Sequence, residues 1–274
     1  MLGITDHDTT EGLSAALAEA QRWNIRLVPG VEISTVSGRE EIHLLGYFVN
    51  VADPDLQALL ARAREARWER AQAMLKRLAN LGLSVEWERV LEIAGQDSAI
   101  GRPHVALSLL EAGHVSTYNE AFDLWIGRGC PAYIERYKLS PEEAIHLVRK
   151  GGGLPVLAHP YFYDRNGGRK AGLELGRWLP RLREAGLAGI EIYYPNYPRR
   201  VSRQLLVQAS QYGLLITGGS DFHGSIVGNG LGSVAVPWAA WEALDRRQRL
   251  IHQRSPRRTQ TEPTASLAPS QGFV

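Results

Sequence analysis

Six acid or imidazole side chains carry the chemical signal of this sequence: His7 in "ITDHDT", Glu32 in "VPGVEIS", His43 in "EIHLLGY", His159 in "LAHP", and Asp221 and His223 in "GSDFHG". His43 lies within a strand-like run, and the others fall at or just past the C-terminal end of one, with Asp6 and Asp8 flanking His7. In βα architectures that end of the sheet is where sites are built. A single strand-end His or Asp is usually a cap or a satisfied polar group. Four or five strands aiming such groups at one mouth are not explained by capping. Imidazole and carboxylate without thiolate suit Mn, Fe or Zn, and several carboxylates can bridge two ions. Paired ions activate a water and clamp both oxygens of an in-line phosphoryl displacement. The residues themselves therefore favour a metal-dependent phosphoesterase.

Other chemistries fit less well. "TGGSDFHG" and "KGGGLP" match neither the dinucleotide fingerprint nor the phosphate-loop spacing, and their glycines suit tight turns. Ser220 stands too close to Asp221 and His223 on one turn for triad geometry. "GRPH" places Arg102 and His104 where a helix begins, and both a phosphate site and a plain surface turn are open readings of it. His114, His146 and His252 read as structural or exposed, and Cys130 as a small buried residue.

The positioning elements follow from periodicity. "LGIT", "IRLVPGVEIS", "EIHLLGYFV", "LPVLAHP", "AGIEIYY" and "LLITGG" read as strands, and residues 12–23, 174–185 and 199–212 as helices. "SPEEAIHLVRKGGG" carries an N-cap serine, a first-turn proline and a glycine stop. Residues 54–136 are helical in pattern up to "AYIE", which reads as a strand. The expected organisation is an α/β fold of parallel βα units in two parts, 1–53 and 137–250. A helical insertion occupies 54–136, and a Ser, Pro, Thr and Gln-rich tail over 251–274 is expected to be disordered.

At 274 residues the chain can bury a core large enough to exclude water from a site. A net charge of +2 with 22% charged residues marks no nucleic-acid surface, and no stable binding of duplex DNA is expected. The single cysteine rules out an intramolecular disulfide and fits a reducing cytoplasm. No apolar run approaches the roughly 20 residues that span a bilayer.

"GITDHDT", "VPGVEIS", "IHLLGY", "LAHP" and "GSDFHG", in this order, resemble the PHP family, the polymerase and histidinol phosphatase domain. The insertion with "GRPHVA", "GHV", "AF" and "AY" is similar to its nucleoside 3′,5′-bisphosphate phosphatase and 5′-to-3′ exoribonuclease branch. The resemblance runs from residue 2 to about 240. It implies a distorted (β/α)7 barrel with an inserted helical subdomain and up to three divalent ions, Mn first, with Fe or Zn as alternatives. Glu32 would bridge the first and second ions, His43 and His159 would complete the second, Asp221 would serve the first, and His7 and His223 the third. Asp6 would orient ligands, and Arg102 and His104 would face the substrate phosphate.

The implied substrate is a small phosphorylated nucleotide or a short RNA end. A sugar or amino-alcohol phosphate, or nucleotide binding without hydrolysis, are the alternatives. Family members begin with a His-x-His strand that has no counterpart here, so the expectation is an N-terminally truncated barrel that starts at an internal methionine, with weakened first and third ion sites and an unpaired edge beside "LGIT".

Overall fold

The computed structural model describes residues 1–38, 40–95, 100–135, 139–163, 169–223 and 229–254. In chain order the strands and helices begin with β1 (Leu2–Ile4), α1 (Leu13–Arg22), β2 (Leu27–Ser37) and β3 (Glu40–Tyr47). A run of helices follows: α2 (Pro54–Asn80), α3 (Trp87–Ala94), α4 (Arg102–Glu111) and α5 (Tyr118–Glu120), the last widening into a π-helical stretch over Ala121–Ile126. Then come α6 (Pro141–Lys150), β4 (Leu154–Leu157), β5 (Tyr161–Tyr163), β6 (Arg169–Gly172), α7 (Leu175–Ala185), β7 (Gly189–Tyr193), α8 (Arg199–Gln211), β8 (Leu215–Gly218) and α9 (Trp238–Arg254).

Six strands form one sheet in the order β1-β2-β3-β4-β7-β8. The β1–β2, β4–β7 and β7–β8 pairings are parallel, while β3 runs antiparallel to both β2 and β4. The fold is thus mixed α/β with a parallel-dominated sheet. β2 and β3, adjacent strands with no helix between them, pair antiparallel because only Gly38 and residue 39 separate them, too short a link for a crossover. β1 and β8 are the edges of this sheet among the described residues.

Register decides which side chains face which way, since successive residues of a strand alternate. Ser34 pairs with His43, Glu32 with Leu45, Leu45 with Val156, Val156 with Gly189, and Glu191 with Thr217. One face of the sheet therefore carries Glu32, His43 and Glu191 together with the small apolar cluster of Leu45, Val156 and Ala158. The opposite face carries Val31, Ile33, Ile42, Leu44, Leu157, Ile190 and Ile192 into the main core, against Ile145, Trp178, Leu182 and Leu205 of the helices. Gly30 permits the packing of β1, β2 and β3 at this level: a Cβ there would stand 2.7 Å from Thr5 Cγ2 and 2.8 Å from the Gly46 carbonyl oxygen.

The helical stretch has a second core of its own, with Met74, Leu75 and Leu78 of α2 packed with Val90, Val105, Leu109, Ala121 and Ile126. α2 joins the two, because Leu56 and Leu60 near its start belong to the main core. Asp53 caps this helix, accepting from the Asp55 and Leu56 amides.

α6 begins as its sequence predicts, with Ser140 Oγ accepting from the Glu143 amide and Glu143 Oε2 from the Ser140 amide. "AYIE" is not a strand. Arg70 Nε donates to the Ile134 carbonyl at 2.7 Å and Arg77 Nη1 to the Tyr133 carbonyl at 2.7 Å, so side chains of α2 occupy acceptors a ladder would use. The β5–β6 hairpin has no counterpart among the strands read from periodicity, and α9 runs on to Arg254, past residue 250. Residues 255–274 of the expected tail lie outside the described residues. No described helix is long and apolar enough to cross a membrane.

Candidate metal centre

Glu32 sits at the centre of the site, 3% exposed. His43 Nδ1 lies 2.7 Å and His159 Nε2 3.1 Å from its Oε1, and His7 Nδ1 lies 3.7 Å from its Oε2. His7 is delivered by a single parallel bridge that prolongs the β1–β2 pairing: the Asp8 amide donates to the Glu32 carbonyl and the Glu32 amide to the Asp6 carbonyl. His43 reaches the same place from the early part of β3, which runs the opposite way, and His159 follows the end of β4. Glu32 itself stands mid-strand rather than at a strand end, because its hairpin with β3 carries β2 on to Ser37.

The rings close around the carboxylate, with centroids 5.4 Å apart for His7 and His43, 5.2 Å for His43 and His159, and 5.5 Å for His7 and His223. His223 Nε2 is 3.4 Å from His7 Nε2, so the two edges of the sheet curl toward each other at this end. Ligand atoms from His7, Glu32 and His43 all lie within 4.8 Å of one another. His43 Nδ1 meets the carboxylate as an ion pair, while the buried His7 Nδ1, 3.7 Å from it, makes no hydrogen bond. A buried imidazole nitrogen without a hydrogen bond is costly, and imidazoles converging on a carboxylate are what a cation coordinates. The donor set, nitrogen and carboxylate oxygen, fits a first-row divalent ion.

Electrostatics agree with this arrangement. Burial lowers the His7 pKa to about 4; Glu32 opposes the shift, and His43 and Arg67 add to it. Glu32 is held well below the usual carboxylate range: its burial would raise it, but His7, His159 and His43 outweigh that. Burial acts to lower His159, yet its hydrogen bond to Glu32 and the charges of Glu32, Glu191 and Asp221 raise it to about 9.

Asp221, in a left-handed backbone conformation with φ 48°, accepts a 2.7 Å hydrogen bond from the Tyr194 hydroxyl, and its own carbonyl lies 3.0 Å from His223 Nδ1. The Asp6 side chain faces solvent near His223, and its backbone carbonyl makes the link to Glu32. Asp8 turns away from the cluster. It is fully buried at φ 54°, accepting from the Ser34 amide at 2.8 Å and from Arg67 Nε at 2.7 Å.

Arg102 and His104 come to the N-terminus of α4. His104 Nδ1 accepts from the Gly101 amide at 3.1 Å, which places any proton of the neutral ring on Nε2. Burial, then the charge of Arg67, lowers its pKa. Arg102 stands 3.5 Å from Glu41 of β3, and its guanidinium lies over Phe122 and Tyr133 at 5.7 Å and 5.9 Å. Arg70 and Arg128 lie over the same Tyr133 ring at 5.2 Å and 5.9 Å, so three guanidiniums gather on it beside the start of α4.

No protein-family model matches the chain. It is 34% identical over 229 residues to the 5′-3′ exoribonuclease Rnm of Salmonella typhimurium, covering 81% of this chain and 74% of that protein. It is 33% identical over 223 residues to the 3′,5′-nucleoside bisphosphate phosphatase of Chromobacterium violaceum, covering 81% and 76%. The chain belongs to this PHP-like family. A solved structure from Bifidobacterium adolescentis, assigned as a metal-dependent phosphoesterase, matches with a TM-score of 0.79 and 30% identity over 89% of this chain and 85% of that one. The PHP-like chain is accordingly a hydrolase, a metal-dependent phosphoesterase.

Two residues of the PHP-like site escape sequence reasoning. Arg67 of α2 ties the helical stretch to the sheet, reaching both Asp8 and Ser34 Oγ, the latter at 2.9 Å. Nothing in "ARAREARWERAQ" distinguishes it from its neighbouring arginines. Glu191, 5% exposed, accepts from the His159 amide at 2.9 Å and so fixes the turn that aims that ring; burial raises its pKa to about 7. Its signal was present, as a lone charge inside the apolar strand "GIEIY".

Proposed function

We propose that this phosphoesterase removes a phosphate from a nucleoside 3′,5′-bisphosphate, or cleaves at the end of a short 5′-phosphorylated oligonucleotide, with divalent ions, Mn²⁺ first among them, held around Glu32. The observation that carries the reading is the buried Glu32 carboxylate on which the Nδ1 atoms of His7 and His43 converge, with Arg102 of the α4 N-terminus held by Glu41 two residues before His43 on β3. The names of the Salmonella and Chromobacterium relatives, an exoribonuclease and a nucleoside bisphosphate phosphatase, support the substrate class. In this reading the curled sheet corresponds to most of a PHP barrel. Residues 1–53 and 137–250 build it, and 54–136 form a helical subdomain that supplies the phosphate-facing side chains.

Glu32 would bridge two ions, with His43 and His159 completing one site, Asp221 contributing to the other, and His7 and His223 holding a third. Bound ions of this kind polarise phosphoryl oxygens and lower the pKa of water. The chain's own residues do the rest. Arg102 presents a planar fork to the phosphate oxygens at the start of α4. His104, with Nδ1 committed to the Gly101 amide, donates from Nε2. Tyr194 holds Asp221, Glu191 holds the His159 turn, and Asp6 acts through its backbone carbonyl on Glu32.

The test is phosphate release from adenosine 3′,5′-bisphosphate at saturating Mn²⁺. Release that stops with EDTA, returns with Mn²⁺ and exceeds the rate on histidinol phosphate is the expected result. A folded protein that binds the nucleotide and releases no phosphate would instead be a binding protein.

A further inference from the structure

The site has two unlike walls. Over β1, β2 and β3 the wall is cationic, with Arg67 against Asp8 and Ser34, and Arg102 against Glu41. Over β4, β7 and β8 it is aromatic. Phe162 packs its ring 5.0 Å from that of His159 and remains 43% exposed. Tyr194 lies 5.4 Å from the same imidazole on another side. Phe222, between Asp221 and His223, is 50% exposed. Single exposed hydrophobics are ordinary on any protein surface. These two phenylalanines, however, both border the cluster that holds Glu32.

Phe162 is also braced. Its neighbour Tyr161 turns inward and is 7% exposed. The Tyr161 amide donates to the Tyr197 hydroxyl at 3.0 Å, and that hydroxyl donates to the Tyr161 carbonyl at 2.8 Å. Tyr197 in turn packs on Tyr194 at 5.2 Å, and the Tyr194 hydroxyl holds Asp221. A ring on a braced backbone, packed on His159 and left facing solvent beside a phosphate-directed site, offers a π-face of the kind on which proteins stack unpaired bases.

We infer that Phe162, with Phe222 as a second rim residue, is the base-stacking platform of this enzyme and makes it select nucleotides over phosphate esters that lack a base. The inference rests on the functional reading above and names the residues that set its specificity. Because every base presents a π-face, the platform discriminates base from no base and is tolerant of base identity.

The experiment compares kcat/KM on adenosine 3′,5′-bisphosphate and on ribose 3,5-bisphosphate for the wild type, Phe162→Ala, Phe162→Tyr and Phe222→Ala, with Mn²⁺. Calorimetric binding of adenosine 5′-monophosphate and of ribose 5-phosphate to the metal-free proteins is measured alongside. The wild type is expected to prefer the nucleotide. Phe162→Ala should lose about ten-fold on it, mainly through KM, with little change on the ribose compound, in the range that loss of one base stack produces. Phe162→Tyr should restore the preference, Phe222→Ala should lose less, and nucleotide binding should weaken in parallel. An equal loss on both substrates in Phe162→Ala, or no loss on either, overturns the inference while the functional reading stands. A wild type that hydrolyses neither compound overturns both.

Discussion

The sheet and the helical stretch are built on opposite principles. In the sheet, residues far apart in sequence meet: Glu32 and His159, 127 positions apart, lie within hydrogen-bonding distance because β2, β3 and β4 are neighbours in register. The helical stretch closes its core largely from residues 71–132, and it contributes positive charge rather than ligands. α2 spans both, and Arg67, 12% exposed on its side chain, is a buried polar link between them where it meets the fully buried Asp8. The ion cluster and the phosphate wall are thus separately assembled, and α2, with the buried Arg67–Asp8 pair among its contacts to the sheet, joins them.

Variants can break that separation or sharpen it. The largest effect is expected from Glu32→Ala, which removes the carboxylate shared by His7, His43 and His159. Phosphate release should fall roughly 10³-fold, the equivalent of about 4 kcal/mol of lost charge stabilisation, and added Mn²⁺ should not restore it. Nucleotide binding at the α4 wall should persist in calorimetry.

Arg67→Ala leaves Asp8 buried without that partner and should cost about 3–4 kcal/mol in urea denaturation, with Arg67→Lys recovering part. Loss of activity in Arg67→Lys at full stability would show that the link aligns the two walls as well as holding them.

Leu78→Ala, fully buried in the helical core, should cost about 3 kcal/mol while metal affinity of the folded protein stays unchanged. A weakened ion site in this variant would contradict the separate assembly of the two regions.

The smallest effect belongs to Glu191→Gln. It keeps an acceptor for the His159 amide and removes the charge behind it, so Mn²⁺ affinity should drop about ten-fold with little change in stability.

How much of this was visible in the sequence varies with the range of the interaction. Alternation in "VPGVEIS" and "IHLLGY" marks β2 and β3, and the serine, proline and glycine signals of residues 140–153 mark α6, because such preferences are local. His7, Glu32, His43, His159, Asp221 and His223 could be named as one set because charge and imidazole at strand ends are rare in apolar runs. "AYIE" misled, since its β-propensity is genuine but arginines of α2 take two of its carbonyls.

The sequence is enough to give the six strands of the main sheet, the donor types and the family resemblance. Only the folded chain shows that β3 turns back to bring His43 beside Glu32, that Asp8 acts as a strut held by Ser34 and Arg67, and that Arg67 is the arginine that meets a fully buried acid. The physical reason is the same in each case: a strand's register and a long side chain's reach are set by contacts with partners dozens of residues away, and no local preference encodes which partner that will be.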